Sequence, residues 1–298
     1  MRSLVDLHIH TTASDGSDTP AELARKAAAA GLRLFSVTDH DTIQGALELE
    51  RFVPAGVRYL RGVEFSCTDP AGKCHILGYN YDPDHPAFQA ALQEGRQLRL
   101  DKMHLRVEQL RRDFGLELTK AETDWLWSRK SPGKPHLGKI VLDRGLADSI
   151  DSAIRGFIRD VPGRDRIEAK TAVEAITASG GFPVWAHPLG GEGEKRLSPE
   201  KFEKLLSALT GYGIRGLECH YSRYTAQEAA FLTARAEAAG LTVTGGSDYH
   251  GSNKRGIELG VLGTNTAPWA IDSGELFGII LQKGRNTNFS CEPRAETW

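Results

Sequence analysis

The chain has 298 residues, of which 40% are hydrophobic and 26% charged, with a formal net charge of −2. These are ordinary globular values, and they argue against disorder and against a broadly basic nucleic-acid surface. No apolar run reaches the roughly 18 residues of a membrane span, and the opening MRSLVDLHIHTT lacks a secretory apolar stretch, so a cytoplasmic protein is expected. Cys67, Cys74, Cys219 and Cys291 form no C-x-x-C pair and are expected to be reduced thiols, Cys67 and Cys74 inert ones.

The chain opens on a short alternating strand, Leu4 to His10. Thr19-Pro20 then reads as a cap and first helical residue for Ala21–Ala30, which Gly31 stops. A strand at Leu34–Thr38, a helix at Ile43–Phe52 and a strand at Val57–Phe65 continue the rhythm. It breaks from about residue 85 to 168. There Phe88–Phe114, Ala121–Trp127, Lys139–Arg144 and Ser149–Ile158 all read as helix, with Trp125 and Trp127 in their core. The alternation returns with helices at Ala172–Ser179, Pro199–Leu209 and Ala226–Ala239. Between and after them lie strands at Phe182–His187, Gly216–His220 and Leu241–Asp248. Six or seven β/α units predict parallel strands in an α/β barrel. The expected division is 1–84 and 169–298 as barrel, with 85–168 as an all-helical insertion. Beyond about residue 266 the signals are weak.

Seven of the ten histidines fall at predicted strand ends or in the turns after them: His8, His10, His40, His75, His187, His220 and His250. Barrel enzymes carry their chemistry at those ends. His8 and His10 are two apart on a strand, so both rings face the same way, and Asp248-x-His250 repeats the spacing. With Asp15 and Glu64 they form a set of imidazoles and carboxylates suited to zinc, manganese or iron.

Five segments in order resemble the successive motifs of the PHP (polymerase and histidinol phosphatase) family. They are Asp6-Leu7-His8-Ile9-His10, Thr38-Asp39-His40-Asp41, Glu64-Phe65-Ser66, Ala186-His187-Pro188 and Ser247-Asp248-Tyr249-His250. The resemblance implies a distorted (β/α)7 TIM-like barrel with two or three divalent ions in its mouth and phosphoester hydrolysis as the activity. On that pattern His8, His10, Glu64 and Asp248 hold a first ion, and Asp15, His40 and His250 a second. Glu64 bridges to a third, completed by His75 and His187. Asp15 stands where many members have histidine. It resembles the small nucleotide phosphatases with the opening H-x-H-T-x-x-S-D-G, and its charge favours manganese, with iron or zinc as alternatives.

The same subgroup's substrate-binding insertion resembles Ser131–Leu137, so Lys134 and His136 are candidate contacts to phosphate or nucleotide. Val161–Ile167 departs from the small-Pro-Ala-Tyr segment common there, and a base-stacking tyrosine is missing. His220 is implied to touch the scissile phosphate or leaving oxygen, and Asp248 to accept the proton of the attacking water; Arg223, in a loop at the same predicted barrel face, is a candidate phosphate contact through its guanidinium fork. Arg196 reads as an ordinary surface residue.

The activity implied is removal of the 3′-phosphate from nucleoside 3′,5′-bisphosphates, giving a 5′-monophosphate such as AMP. The alternative is a 5′-to-3′ exoribonuclease on short RNA. Histidinol phosphatase fits less well because of the insertion. A non-catalytic PHP binding module would have lost ligands, and all nine positions hold competent residues. An amidohydrolase-type deaminase would more often use a modified lysine where Glu64 stands. The expected partner is a small phosphorylated substrate, a nucleotide or short RNA, with no membrane and no stable protein partner.

Overall fold

A computed structural model describes residues 2–191, 196–264 and 269–284. Strands β1 (Val5–Ile9), β2 (Leu34–Val37) and β3 (Arg58–Asp69) lie parallel, linked by helices α1 (Pro20–Ala29) and α2 (Gln44–Leu49). α1 starts where expected: the Thr19 hydroxyl accepts the Glu22 N–H, and the Glu22 carboxylate accepts the Thr19 N–H.

Strand β4 (Gly72–Tyr79) departs from the expected parallel rhythm. It runs antiparallel to β3, with Cys67 opposite Cys74 and Ser66 opposite His75. Only Pro70 and Ala71 separate the two strands, and so short a link can only reverse the chain. Gly72 takes a φ of 156° in that turn.

Helices α3 (Pro86–Phe114), α4 (Lys120–Trp127), α5 (Lys134–Asp143) and α6 (Ile150–Phe157) follow. Next come β5 (Ile167–Glu168), which pairs with β3, then α7 (Ala169–Ala178) and β6 (Phe182–Ala186), antiparallel to β4. Helices α8 (Pro199–Tyr212) and α9 (Ala226–Ala238) alternate with the parallel strands β7 (Gly216–Tyr221) and β8 (Thr242–Gly246).

The sheet order is β1-β2-β3-β4-β6-β7-β8. The residues after β8 return to β1: Ile9 bridges Tyr249, the His10 N–H donates to Tyr249 O at 2.9 Å, and the Asp248 N–H donates to His8 O at 2.8 Å. The result is a nearly closed seven-strand TIM-like barrel.

The weak tail contains one further helix, α10 (Ser273–Gly284). Its Leu276 and Ile280 are buried against Val5, Leu34 and Phe182, the first residues of β1, β2 and β6. Each such burial contributes roughly 1.5–3 kcal/mol, and together they close the end of the barrel opposite the histidines.

The helices over the other end have a core of their own. Met103, Leu110, Leu126, Leu137, Val141 and Ala153 pack together. The start of α3 belongs instead to the barrel side, where Phe88 stacks on Tyr81 at 4.1 Å. Among the described residues no helix is long and apolar enough to cross a membrane.

Candidate metal centre

The site is built first by β1. The rings of His8 and His10 lie 5.2 Å apart, as their spacing predicts. The turn after β1 is fastened from below by buried Asp39. Its carboxylate accepts the Thr11 N–H at 2.8 Å, the Thr11 hydroxyl at 2.7 Å and the Ser14 hydroxyl at 2.6 Å. Gly16 ends the turn so close to the chain that a Cβ there would lie 2.4 Å from the His10 carbonyl oxygen. The turn carries Asp15 to 3.2 Å from His250 Nε2 and 3.9 Å from His40 Nε2.

Glu64, on β3, is the hub. Its Oε2 lies 2.9 Å from His40 Nδ1 and 3.3 Å from both His8 Nε2 and His10 Nε2. Its Oε1 lies 2.9 Å from His75 Nδ1 and 3.1 Å from His187 Nε2. Asp248 closes the ring, with Oδ1 3.3 Å from His10 Nε2 and 3.7 Å from His8 Nε2. All nine expected ligand positions therefore meet in one place.

Three sets of ligand atoms within this ring are close enough to share an ion: His10, Asp15, His40 and His250; His8, His10 and Asp248; His8, Glu64 and His187. The grouping differs from the expected one in giving His8 and His10 to two sets each and Glu64 to one. His75 is tied to the ring through Glu64 and His187.

The ring passes a physical test for cations. His8 Nε2, His10 Nε2, His40 Nδ1, His250 Nε2 and Glu64 Oε2 are buried and have no hydrogen-bond partner. Unpaired buried acceptors are costly, and these converge on one volume with lone pairs suited to divalent ions. The charges agree. Burial opposes ionisation of Asp15, Glu64 and Asp248, yet all three are held well below the usual carboxylate range. His250 and His40 do this for Asp15, His40 and His75 for Glu64, and Lys254 and His250 for Asp248. Burial pushes His40 down to about 4, whereas the carboxylates around them hold His8 and His10 above the ordinary imidazole value despite burial.

Two of the candidate ligands sit on strained backbone: His187 has a φ of 28° and Asp248 one of 57°. Non-glycine residues persist there only when the surroundings over-determine them. Glu218, on β7, supplies part of that determination. Its Oε2 accepts the His187 N–H at 2.7 Å, and its Oε1 accepts from His8 Nδ1 at 3.0 Å. With Nδ1 donating, His8 presents Nε2 to the ring, the usual service of a carboxylate behind a ligating histidine. Tyr221 and Lys254 hold Asp248 in the same way, donating to its Oδ2 at 3.0 and 2.7 Å. The sequence reading missed all three. Glu218 lies near the end of a predicted strand, where barrel enzymes carry their chemistry, and that position was the available signal.

His220 stands apart from the ring. It belongs to none of the three sets, and its ring stacks on Trp269 at 4.9 Å. The pairing of β7 with β8 is irregular between Glu218 and His220. A bulge breaks the alternation of faces, so Glu218 and Tyr221 take the positions at the site. Arg223 donates to the Arg255 carbonyl at 3.0 Å. Lys134 lines the mouth, 3.8 Å from Asp160. His136 is buried, and its Nδ1 accepts the Gly133 N–H at 3.0 Å, capping α5. Its ring lies 5.6 Å from Trp125. Cys67 and Cys74 are free and buried.

Above the ring a cavity of about 340 Å³ is lined by His40 and His75 below and by Arg99, Lys134 and Lys254 around it. It adjoins a cavity of about 660 Å³ beside Asp15, Trp125 and His136, and one of about 470 Å³ beside His187, Lys73 and Lys201.

A barrel with buried carboxylates and imidazoles at its strand ends, beneath a cationic cavity, defines a metal-dependent hydrolase. Comparison with known proteins gives the family. Residues 6–132 match the PHP domain. A phosphoribosyl 1,2-cyclic phosphate 1,2-diphosphodiesterase of Eggerthella lenta is 31% identical, over 86% of this chain and 97% of that one. A 5′-3′ exoribonuclease of Haemophilus influenzae is 30% identical, over 84% and 91%. A 3′,5′-nucleoside bisphosphate phosphatase of Chromobacterium violaceum is 27% identical, over 86% and 90%. A solved structure assigned as a metal-dependent phosphoesterase of Bifidobacterium adolescentis superposes with a TM-score of 0.80 at 26% identity, covering 94% and 96%. The chain belongs to the PHP family and is a metal-dependent phosphoesterase.

Proposed function

We propose that this phosphoesterase removes the 3′-phosphate of nucleoside 3′,5′-bisphosphates and leaves the 5′-monophosphate, such as AMP. The observation that carries the reading is the ring of unpartnered ligand atoms on the floor of a cavity walled by lysine and arginine. A relative with that activity and the aspartate at position 15 support it.

In this reading His8, His10, Asp15, His40, Glu64, His75, His187, Asp248 and His250 hold two or three divalent ions, manganese before iron or zinc. Such ions supply charge neutralisation at the phosphoryl group and a nucleophile from water near neutral pH. Asp248 accepts the proton of the attacking water, with its carboxylate fixed by Tyr221 and Lys254. Lys254, which lines the cavity, takes the place expected of His220 at the leaving oxygen. Burial works against its charge, but Asp248, Asp15 and Glu64 keep its pKa above the ordinary lysine value. It therefore stabilises developing negative charge without giving up its proton. Lys134 and His136 contact the substrate, and the helices over the mouth act as its cap. Residues 85–168 form this cap as an insertion in the barrel.

The second reading is exoribonuclease action on short RNA. The adjoining cavities favour it, because they continue the mouth to either side of the ring. The deciding experiment is phosphate release from adenosine 3′,5′-bisphosphate by manganese-loaded protein beside a chelated control. Metal-dependent release with AMP as the other product is expected. No release, with mononucleotides freed from 5′-phosphorylated RNA, would replace the first reading by the second.

A further inference from the structure

Seven lysine and arginine side chains line the cavity above the ring, against two carboxylates, Asp151 and Asp165. Three of the seven have partners of their own. Arg99 pairs with Asp41 at 2.8 Å, Lys254 with Asp248 at 2.7 Å, and Arg155 with Asp151 at 2.8 Å. Lys134 reaches only the exposed Asp160, at 3.8 Å.

That leaves Lys102, Arg106 and Arg166, which line the same cavity as Asp165. Lys102 and Arg106 are only 6% and 8% exposed, and each lies 3.8 Å from the same Asp165 oxygen. Lys102 otherwise donates to the carbonyls of Val161 and Gly163. Arg106 Nε and Arg166 Nε are buried with no hydrogen-bond partner. Arg166 has one weak contact, to the Cys74 carbonyl at 3.4 Å. Burying guanidinium groups with open donors is expensive, and one shared carboxylate does not balance three cations.

The cationic face is built into the helix. Arg99, Lys102 and Arg106 are spaced three and four apart on α3, so they share one face. The segment that brings Arg166 to them lies just before β5, which pairs with β3 beside the ring. The same cavity includes His40 and His75, so one molecule can touch both the ring and these cations.

We propose that Lys102, Arg106 and Arg166 form a second phosphate subsite, which binds a phosphoryl group of the substrate other than the one hydrolysed. The open guanidinium donors match phosphate oxygens in geometry and charge. This rests on the phosphoesterase reading above and deepens it: the substrate carries two phosphate groups. The second can be the 5′-phosphate of a mononucleotide bisphosphate or that of an RNA end.

The test compares kcat/KM for adenosine 3′,5′-bisphosphate with that for adenosine 3′-monophosphate on manganese-loaded protein. The ratio is expected to favour the bisphosphate and to fall by about tenfold or more in Arg106→Gln, the worth of one charged hydrogen bond. A parallel arm compares short RNA bearing a 5′-phosphate with the same RNA bearing a 5′-hydroxyl. A fall confined to one arm assigns the subsite to that source. Ratios unmoved in both arms, in a variant that melts like the parent, overturn the proposal. Should Arg106→Gln fail to fold, Arg166→Gln at a less buried position reads the same ratios. If neither substrate is hydrolysed, calorimetry of AMP binding to chelated protein separates the two claims. Binding that weakens in the variant keeps the subsite while the bisphosphatase reading fails; equal or absent binding overturns the subsite.

Discussion

The barrel mouth and the helical layer above it hold their polar groups by different means. In the mouth, ligands hang on strands and on turns with backbone hydrogen bonds to neighbouring carboxylates, such as the Asp39 contacts under Asp15 and the Glu218 contact to His187. In the layer, charged side chains share one face of α3, and helix packing around Leu110, Leu126 and Leu137 sets where that face points. The first arrangement fixes atoms to a fraction of an ångström and suits bond breaking. The second sets charge over a wider space and suits selection of the substrate.

The sharpest way to break this division is at its hub. Glu64→Ala is expected to lower phosphoester turnover on the order of 10²–10³-fold, the cost of removing one preorganised electrostatic group. Bound metal, counted by elemental analysis, should fall with it. Full activity with a normal metal count would show that the ring is not the reaction centre. Glu218→Gln comes next. The amide can still reach His8 but no longer offers two carboxylate acceptors, so metal affinity or activity should drop by about 10–100-fold. A change under twofold in both would show that His8 and His187 are held without it.

How much of this was readable follows the same division. The H-x-H of β1 and the D-x-H after β8 obey the period of a strand, so those four candidates were legible from spacing, whereas Asp15, His40, Glu64, His75 and His187 were assigned as ligands through the family resemblance. The failures have physical causes. β4, Gly72–Tyr79, was invisible because its mixed sequence follows β3 after only Pro70 and Ala71 and shows no clean alternation. α10 carries little pattern, because only Leu276 and Ile280 are fully buried. The irregular pairing of β7 with β8 between Glu218 and His220 interrupts the period of two, so spacing alone does not fix where His220 points. The cations of α3 were legible as a helix and illegible as a wall, since nothing local says which side of a helix faces the barrel.

The layer should also be separable from the barrel in stability. Leu137 is fully buried in the core of the layer and joins no barrel cluster. Leu137→Ala should cost roughly 2–5 kcal/mol. If residues 85–168 are an insertion with a core of its own, the loss should appear in differential scanning calorimetry as an early transition that leaves the barrel's transition in place. A single transition, lowered as a whole, would instead show that Phe88 and its neighbours on α3 weld the two cores into one cooperative unit.

The smallest expected effect falls on His220, and it tests whether the bulge matters. A histidine that protonates the leaving oxygen is worth about 10²–10⁴-fold in rate. Stacked on Trp269 and outside the ring, His220 should matter much less, and His220→Phe is expected to change kcat by under about threefold on that scale. Its trace should appear in stability. Burial holds the ring down to about 4, below its ordinary value of 6.5. The folded protein therefore binds fewer protons than the unfolded chain between those values. The stability His220 contributes is complete above about 6.5 and is lost as pH falls through about 4. His220→Phe should flatten that part of the curve when unfolding by urea is followed between pH 4 and 7. A large loss of kcat with an unchanged acid limb would return His220 to the chemistry and mean that the bulge does not turn it away.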